Sequence, residues 1–549
     1  MMGTVFREYS SAGRASASHA GGHGFEPRCA HFLNRKALLT RAFFIKRKGA
    51  AAMLYNSTRD KNVKLTASEA ILKGLSDDGG LFVPESLPHL NSSMQQLSTL
   101  SYNELAYEIM SLFLDDFTEA ELRECIENAY GDNFDVPEIA PMSYADGSYY
   151  LELYHGPTIA FKDLALQILP HLMTASAKKN GVTKDIVILT ATSGDTGKAA
   201  MAGFADVPHT KIMVFYPHGG VSDVQRLQMV TQKGGNVSVV SVDGNFDDCQ
   251  TGVKQIFNDP SFKEEIEAKG FQFSSANSIN IGRLVPQIVY YVYAYCNLIA
   301  NEKISDGDPV NICVPTGNFG NILAAYIAKK IGVPINKLIC ASNMNNVLTD
   351  FFNTGTYDRN RDFHLTMSPS MDILISSNLE RLIYFISGCD DRATAKFMDD
   401  LVSKGSYTIT DSMKDGLSDF VAGCASESDT ASEIKRIYDD TGYLIDTHTA
   451  VASFVANRFK SDSALSDQPL IIASTASPYK FARSIVGAIK GDAENDKSDL
   501  EMIDELEKLC DMPEPQAIKE IRHADIRHDG HIAINEMKNA VAEFLILLP

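Results

Sequence analysis

Apolar and polar positions change rhythm along this 549-residue chain. Between residues 62 and 130 the pairs Ile71-Leu72, Leu105-Ala106, Ile109-Met110 and Phe113-Leu114 fall at helical spacing, so one face of each helix is apolar. Ser68 is placed to cap the first helix. Asp77-Asp78-Gly79-Gly80 and the prolines at 84 and 88 read as turns. The segment 53–145 is therefore expected to be a small, mainly helical domain. From about residue 146 short β-branched runs alternate with helix-like stretches. The runs lie at 186–190, 212–216, 237–242, 311–315, 337–341 and 470–473. Such alternation predicts an α/β core with parallel sheets over 146–490, with ligands beyond the carboxyl ends of the strands. Acids and helix formers at 490–505 lead into a helical C-terminal segment, 491–549.

Residues 1–52 differ from the rest. They hold nine Lys and Arg against two acids, are rich in Ser, Ala and Gly, and include Lys46-Arg47-Lys48. That composition resembles an organelle transit peptide. A disordered tail, or an over-extended start with Met53 as the initiator, fits it as well. The expected compartment is cytoplasmic, or a plastid or mitochondrion if the leader is a transit peptide. No apolar run of about 18 residues marks a membrane span. A formal charge of −20 and a pI near 5.1 disfavour nucleic acid as partner. They leave room for a small anionic substrate in a locally positive pocket, acted on by a monomer or homodimer. Nine scattered cysteines without a C-x-x-C pair read as reduced thiols. No metal-ligand spacing is found.

The candidate chemistry begins with a strand–glycine loop–helix arrangement that occurs twice. One is Asp185 to Thr192 running into Ser193-Gly194-Asp195-Thr196-Gly197. The other is Val310 to Pro315 running into Thr316-Gly317-Asn318-Phe319-Gly320-Asn321. Each loop can bend at its glycines and present the free N–H groups of a starting helix to an anion. Neither matches a Walker A or the G-x-G-x-x-G spacing, so each alone is an ordinary turn as readily as a site. Two together suggest two phosphates. Lys162, after Ile159-Ala160-Phe161, would be partly desolvated, which favours the neutral amine a Schiff base needs. Asp163 could cap the following helix. From periodicity alone, a surface lysine opening an amphipathic helix explains the same residues.

Further motifs shift that balance. His155-Gly156-Pro157-Thr158-x-Ala160-Phe161-Lys162-Asp163 resembles the signature around the cofactor lysine of the threonine synthase family. Ser57-Thr58-Arg59, Asp78-Gly79-Gly80-Leu81, Ser275-Ala276-Asn277-Ser278-Ile279-Asn280, Ser368-Pro369-Ser370-Met371-Asp372-Ile373, Ser377-Asn378-x-Glu380-Arg381, Asp446-x-His448-Thr449-Ala450 and Ser474-Thr475-Ala476 follow in the family's order. The resemblance covers about residues 53–490. It implies an α/β, fold-type II pyridoxal-phosphate (PLP) enzyme, similar to the tryptophan synthase β-subunit, that converts O-phospho-L-homoserine and water to L-threonine and phosphate. It further implies that Lys162 holds pyridoxal 5'-phosphate as an aldimine and serves as the catalytic base. Gly317, Asn318, Phe319, Gly320 and Asn321 would hold the cofactor phosphate, and Thr475 the pyridine nitrogen. Ser193, Asp195, Thr196, Asn277 and Arg283 would hold the substrate.

Other residues have plainer readings. Glu380 and Arg381 are expected to form an ion pair at a helix surface, and His448 to be a satisfied core or interface histidine. Pro170 should kink or stop the helix after Lys162. Asp525 to Glu536 mimics a calcium loop, but Arg527 stands where an oxygen ligand is needed; a capped terminal helix over 534–547 is the better reading. Two rivals remain for function. One is a phospholyase on the same scaffold that ends in 2-oxobutyrate and ammonia. The other is a silent binding protein, against which Lys162, both loops and Thr475 argue.

Overall fold

A computed structural model describes residues 52–192, 194–460, 468–491, 496–510 and 512–547. Residues 1–51 of the leader 1–52, and Ser193 in the first glycine loop, lie outside the described residues. Two sheets organise the chain. The larger has six strands in the order Phe420–Cys424, Ile335–Ser342, Val310–Pro315, Leu470–Ser474, Ser148–Glu152, Met142–Ala145, all parallel but for the last. The smaller is wholly parallel, in the order Gly530–Ala533, Val237–Asp243, Thr210–Pro217, Asp185–Ala191, Phe271–Ser274. Every position of Thr210–Pro217 and Val310–Pro315 is buried. That is why these strands read as unbroken apolar runs: helices cover both faces. The helix Ile281–Ala300 is buried along most of its length and packs against both Gly320–Ile331 and Tyr102–Phe113.

All six expected strand runs are present, and the N-terminal segment is mainly helical. Four details differ. The first helix, Ala67–Lys73, is capped by Thr66 in a reciprocal box with Glu69, and Ser68 sits inside its first turn. The strands Met142–Ala145 and Ser148–Glu152 form a hairpin across the expected boundary at 145, pairing Ala145 with Ser148. The C-terminal segment is not purely helical. Within the calcium-loop mimic, Gly530–Ala533 adds an edge strand beside Val237–Asp243, and the helix Met537–Leu547 then closes the chain. Lastly, Asp163 does not cap a helix: Lys162 holds the cap position. Pro170 does break that helix. Asp163–Leu166 ends, and Leu169–Lys179 begins with the proline in its first turn, where a missing N–H costs no hydrogen bond.

Glu380 and Arg381 are both buried, at 5% and 0% exposure, and do not pair with each other. Glu380 takes two bonds from Arg59, at 2.9 and 2.8 Å, and one from Thr58 Oγ1 at 2.6 Å. Arg381 donates to the Phe82 carbonyl at 3.0 Å and to Asn378 Oδ1. The expected surface pair is thus a buried latch between the N-terminal strands and the core. Gly80 belongs to it, because a Cβ there would sit 2.1 Å from Ser57 Oγ. Among the described residues no helix is long and apolar enough to cross a membrane. Five of the eight described cysteines are buried, and all are free.

Candidate active site

Lys162 is placed by the backbone on both sides of it. The Phe161 N–H donates to the Thr475 carbonyl at 2.8 Å, and Ala160 forms a β-bridge with Ala476. Ile159 adopts φ of 53°, a conformation β-branched residues avoid and one that neighbouring contacts must hold. Those contacts come from Asp163, which accepts from the Thr158 N–H at 2.8 Å and the Thr158 hydroxyl at 2.6 Å. Gly156 lets this turn close: a Cβ would lie 2.6 Å from Asp163 Cβ. The motif His155 to Asp163 is therefore a self-bonded turn, pinned to the end of the strand Leu470–Ser474, that presents one lysine.

Lys162 is 8% exposed, and its amine lies 3.2 Å from Asp195 Oδ2 and 3.1 Å from Ser370 Oγ. Ser370 in turn donates to the same Asp195 oxygen at 3.0 Å. The other carboxylate oxygen faces Lys480 at 3.1 Å and Gln225 Nε2 at 3.0 Å. Burial, aided by Lys480, lowers the Lys162 pKa against the pull of Asp195. Burial alone would raise the Asp195 carboxyl, but Lys480 and then Lys162 hold it well below the usual carboxylate range. One carboxylate thus serves two buried ammonium groups. His448 stands behind Ser370. Its Nε2 accepts the Ser370 N–H at 3.1 Å, so its proton is on Nδ1, facing Asp446 at 2.8 Å. It is the satisfied histidine expected, set against the site.

The second glycine turn is less engaged. Among the described residues, the amides of 317–322 have no hydrogen-bond partner, and Phe319 takes φ of 62° to start the helix Gly320–Ile331. Ser376 Oγ holds the Gly317 carbonyl at 2.7 Å, and Asn378 holds the Asn318 carbonyl at 3.0 and 3.1 Å. The loop is therefore fixed through its carbonyls while its N–H groups stay open. Asn321 Oδ1 accepts from Tyr290 and Tyr291, both at 2.6 Å, but its buried Nδ2 has no partner. Arg283 is also buried. It donates to the Ala276 carbonyl at 3.0 Å, while its Nε is unpartnered and no carboxylate pairs with it among the described residues. Burial lowers its pKa to about 10. Open amides, an orphaned amide NH₂ and an uncompensated guanidinium fit a phosphate. With a buried lysine nearby, the residues present fit pyridoxal 5'-phosphate.

The remaining expected residues fall as follows. Thr475 is buried and anchors Phe161 through its carbonyl. Thr196 is part-buried in the first turn of the helix Asp195–Phe204. Asn277 is exposed on the loop that Arg283 braces and, among the described residues, makes no hydrogen bond to the Lys162 cluster. Sequence reasoning named neither Lys480 nor Gln225 as site residues and gave Ser370 no role. Each reaches Asp195 or Lys162 from another part of the chain, so no local spacing marks them.

Comparisons with known proteins give the family. Residues 149–475 match the family model for pyridoxal-phosphate dependent enzymes. Flanking stretches match threonine synthase models, 54–130 to the N terminus and 449–528 to the C-terminal part. The chain is 37% identical to threonine synthase of Pseudomonas aeruginosa over 83% of this chain and 95% of that one. It is 44% identical to threonine synthase-like 1 of Homo sapiens over 77% of this chain, but spans only 58% of that protein's length. The crystal structure of PLP-bound threonine synthase from Brucella melitensis superposes with a TM-score of 0.78 at 34% identity, covering 90% of this chain and 99% of that one. The fold is that of a fold-type II, pyridoxal-phosphate-dependent enzyme. Within that class the chain belongs to the threonine synthase family.

Proposed function

We propose that the chain converts O-phospho-L-homoserine and water to L-threonine and inorganic phosphate. The observation that carries this is the pairing of a buried amine, Lys162, with open phosphate-binding groups at the second glycine turn and Arg283. Lys162 would hold the cofactor, the loop 317–321 its phosphate, and the Thr475 hydroxyl its ring nitrogen. When bound, the cofactor supplies an electron sink for charge developing at the substrate α carbon. Lys162, its pKa lowered by burial, takes the α proton at Nζ and, once it has given that proton up, takes a β proton at the same atom. Asp195 and Ser370 keep that amine oriented. The bond from Cγ to the phosphate oxygen breaks and phosphate leaves, and Cγ takes up a proton to become the methyl group. Water adds its oxygen at Cβ and gives up a proton to the released phosphate, and a proton returns to the α carbon. Arg283, with Thr196, Ser193 and Asn277, would hold the substrate's anionic groups.

A second reading has a specific observation in its favour: identity is higher to the threonine synthase-like 1 protein, 44%, than to the named synthase, 37%. On that reading the same site releases 2-oxobutyrate, ammonia and phosphate, because water fails to add at Cβ. Incubating the cofactor-loaded protein with phosphohomoserine and separating the products decides between them. Threonine equal to the phosphate released upholds the synthase. Phosphate matched by 2-oxobutyrate, without threonine, replaces it with the lyase.

A further inference from the structure

A cavity of about 470 Å³ lies between the helix Asp223–Val230 and the C-terminal residues 516–527. Lys162, Asp195, Ser370 and Thr475 do not line it, so it is not a lobe of the site already described. We propose that this cavity binds a small oxyanion of the phosphate type.

Its lining carries Lys198, Lys233, Lys519 and Arg527 against Glu520 and Asp525. None of these four cations has an acid within ion-pair distance among the described residues. Lys198 is the inner one. Burial lowers its pKa to about 8, and among the described residues its ammonium donates only to the neutral Gln232 Oε1. The second observation is Gln228, 1% exposed, whose Nε2 is a buried donor with no partner. A buried donor left unsatisfied costs stability unless something outside the fold accepts from it. An oxyanion accepts from Gln228 and pairs with the lysines at once. The volume suits a phosphorylated small molecule and not a macromolecular segment.

The segment carrying Arg527 is held in place, because the N–H groups of Arg527 and His528 donate to the Val230 carbonyl at 2.8 and 3.0 Å. Gln228 also links the cavity to the active site. Its Oε1 accepts from Lys480 at 3.4 Å, and Lys480 is the residue that neutralises the outer oxygen of Asp195. An anion bonded to Nε2 fixes the amide with Oε1 toward Lys480, which strengthens the hold on Asp195.

The test is equilibrium binding of inorganic phosphate to the full-length, cofactor-loaded protein, compared with the double variant Lys519→Glu, Arg527→Glu. Both residues are exposed and neither belongs to the Lys162 cluster, so turnover without added phosphate stays at the starting level. The cavity predicts one more phosphate bound per chain in the parent than in the variant, or affinity at that site at least about tenfold weaker in the variant. A parallel titration with O-phosphoserine separates sources: tighter binding than phosphate assigns an organic phosphate, equal or weaker binding the free ion. Identical stoichiometry and affinity in parent and variant would overturn the site.

Discussion

At the first glycine turn Thr192 Oγ1 accepts from the amides of Gly194 and Gly197, at 3.0 and 2.9 Å, and the helix opens with the acid Asp195. At the second, the amides of 317–322 lack protein partners among the described residues, and no acid stands in the first turn. The two look interchangeable as sequence, and both read there as anion cradles. Folded, the first is neutralised from within: its own carboxylate is shared by Lys162 and Lys480. The second keeps its positive potential open, with Arg283 and Asn321 adding unpartnered donors. A strand–glycine–helix turn thus becomes an anion site only where the chain leaves its amides unspent. Of the two turns expected to cradle anions, the first has its Gly194 and Gly197 amides occupied by Thr192, while the amides of the second carry no protein partner among the described residues.

The comparison breaks most visibly at its charged residues. Asp195→Ala leaves two buried ammonium groups uncompensated and should cost about 3–5 kcal/mol in urea unfolding. Arg283→Met removes a buried cation with no counter-acid. It should leave the cofactor-free protein as stable or slightly more so, while weakening phosphate-bearing ligands about 100-fold in equilibrium titration. Next come the glycines. Gly194 has φ of 133°, and a Cβ there would lie 2.4 Å from Gln225, so Gly194→Ala should cost about 2–3 kcal/mol. At the second turn a Cβ on Gly317 would meet the Ser370 carbonyl at 3.0 Å; Gly317→Ala should cost only about 1 kcal/mol and show mainly as weaker cofactor binding.

A further effect is a pH dependence in the turn that presents Lys162. Burial lowers the His155 pKa, but Asp135 and Glu152, at 2.7 and 3.0 Å, outweigh it and raise it to about 9. A raised folded pKa means the stabilisation is complete below about pH 6.5 and lost as pH climbs through about 9. With the partly exposed Asp135 discounted for screening, the loss is on the order of 1–2 kcal/mol. Urea midpoints at pH 6 and 9.5 for the parent and for His155→Gln check it; the variant should show the smaller difference.

The strands legible in the sequence were those buried on both faces, such as Thr210–Pro217. Edge strands were missed because half-exposed positions blur the pattern: Phe271–Ser274 and Phe420–Cys424 are mostly part-buried, and Gly530–Ala533 begins with two exposed residues. Glu380 and Arg381 were misplaced to the surface because charge was taken as a sign of exposure. Lys162 and the two turns could be found because their signals are local. Ser370 lies 208 residues from Lys162, and Lys480 further still; only tertiary packing brings those side chains to one carboxylate.

The central claim is that Lys162, and no other lysine, bonds the cofactor. Borohydride reduction of the pyridoxal-phosphate-loaded protein, followed by peptide mass mapping, measures this directly. The account predicts the added mass on the peptide bearing Lys162 and its disappearance in Lys162→Ala, with turnover falling at least about 10³-fold. The adduct on Lys198, on Lys480 or on no peptide at all would contradict it.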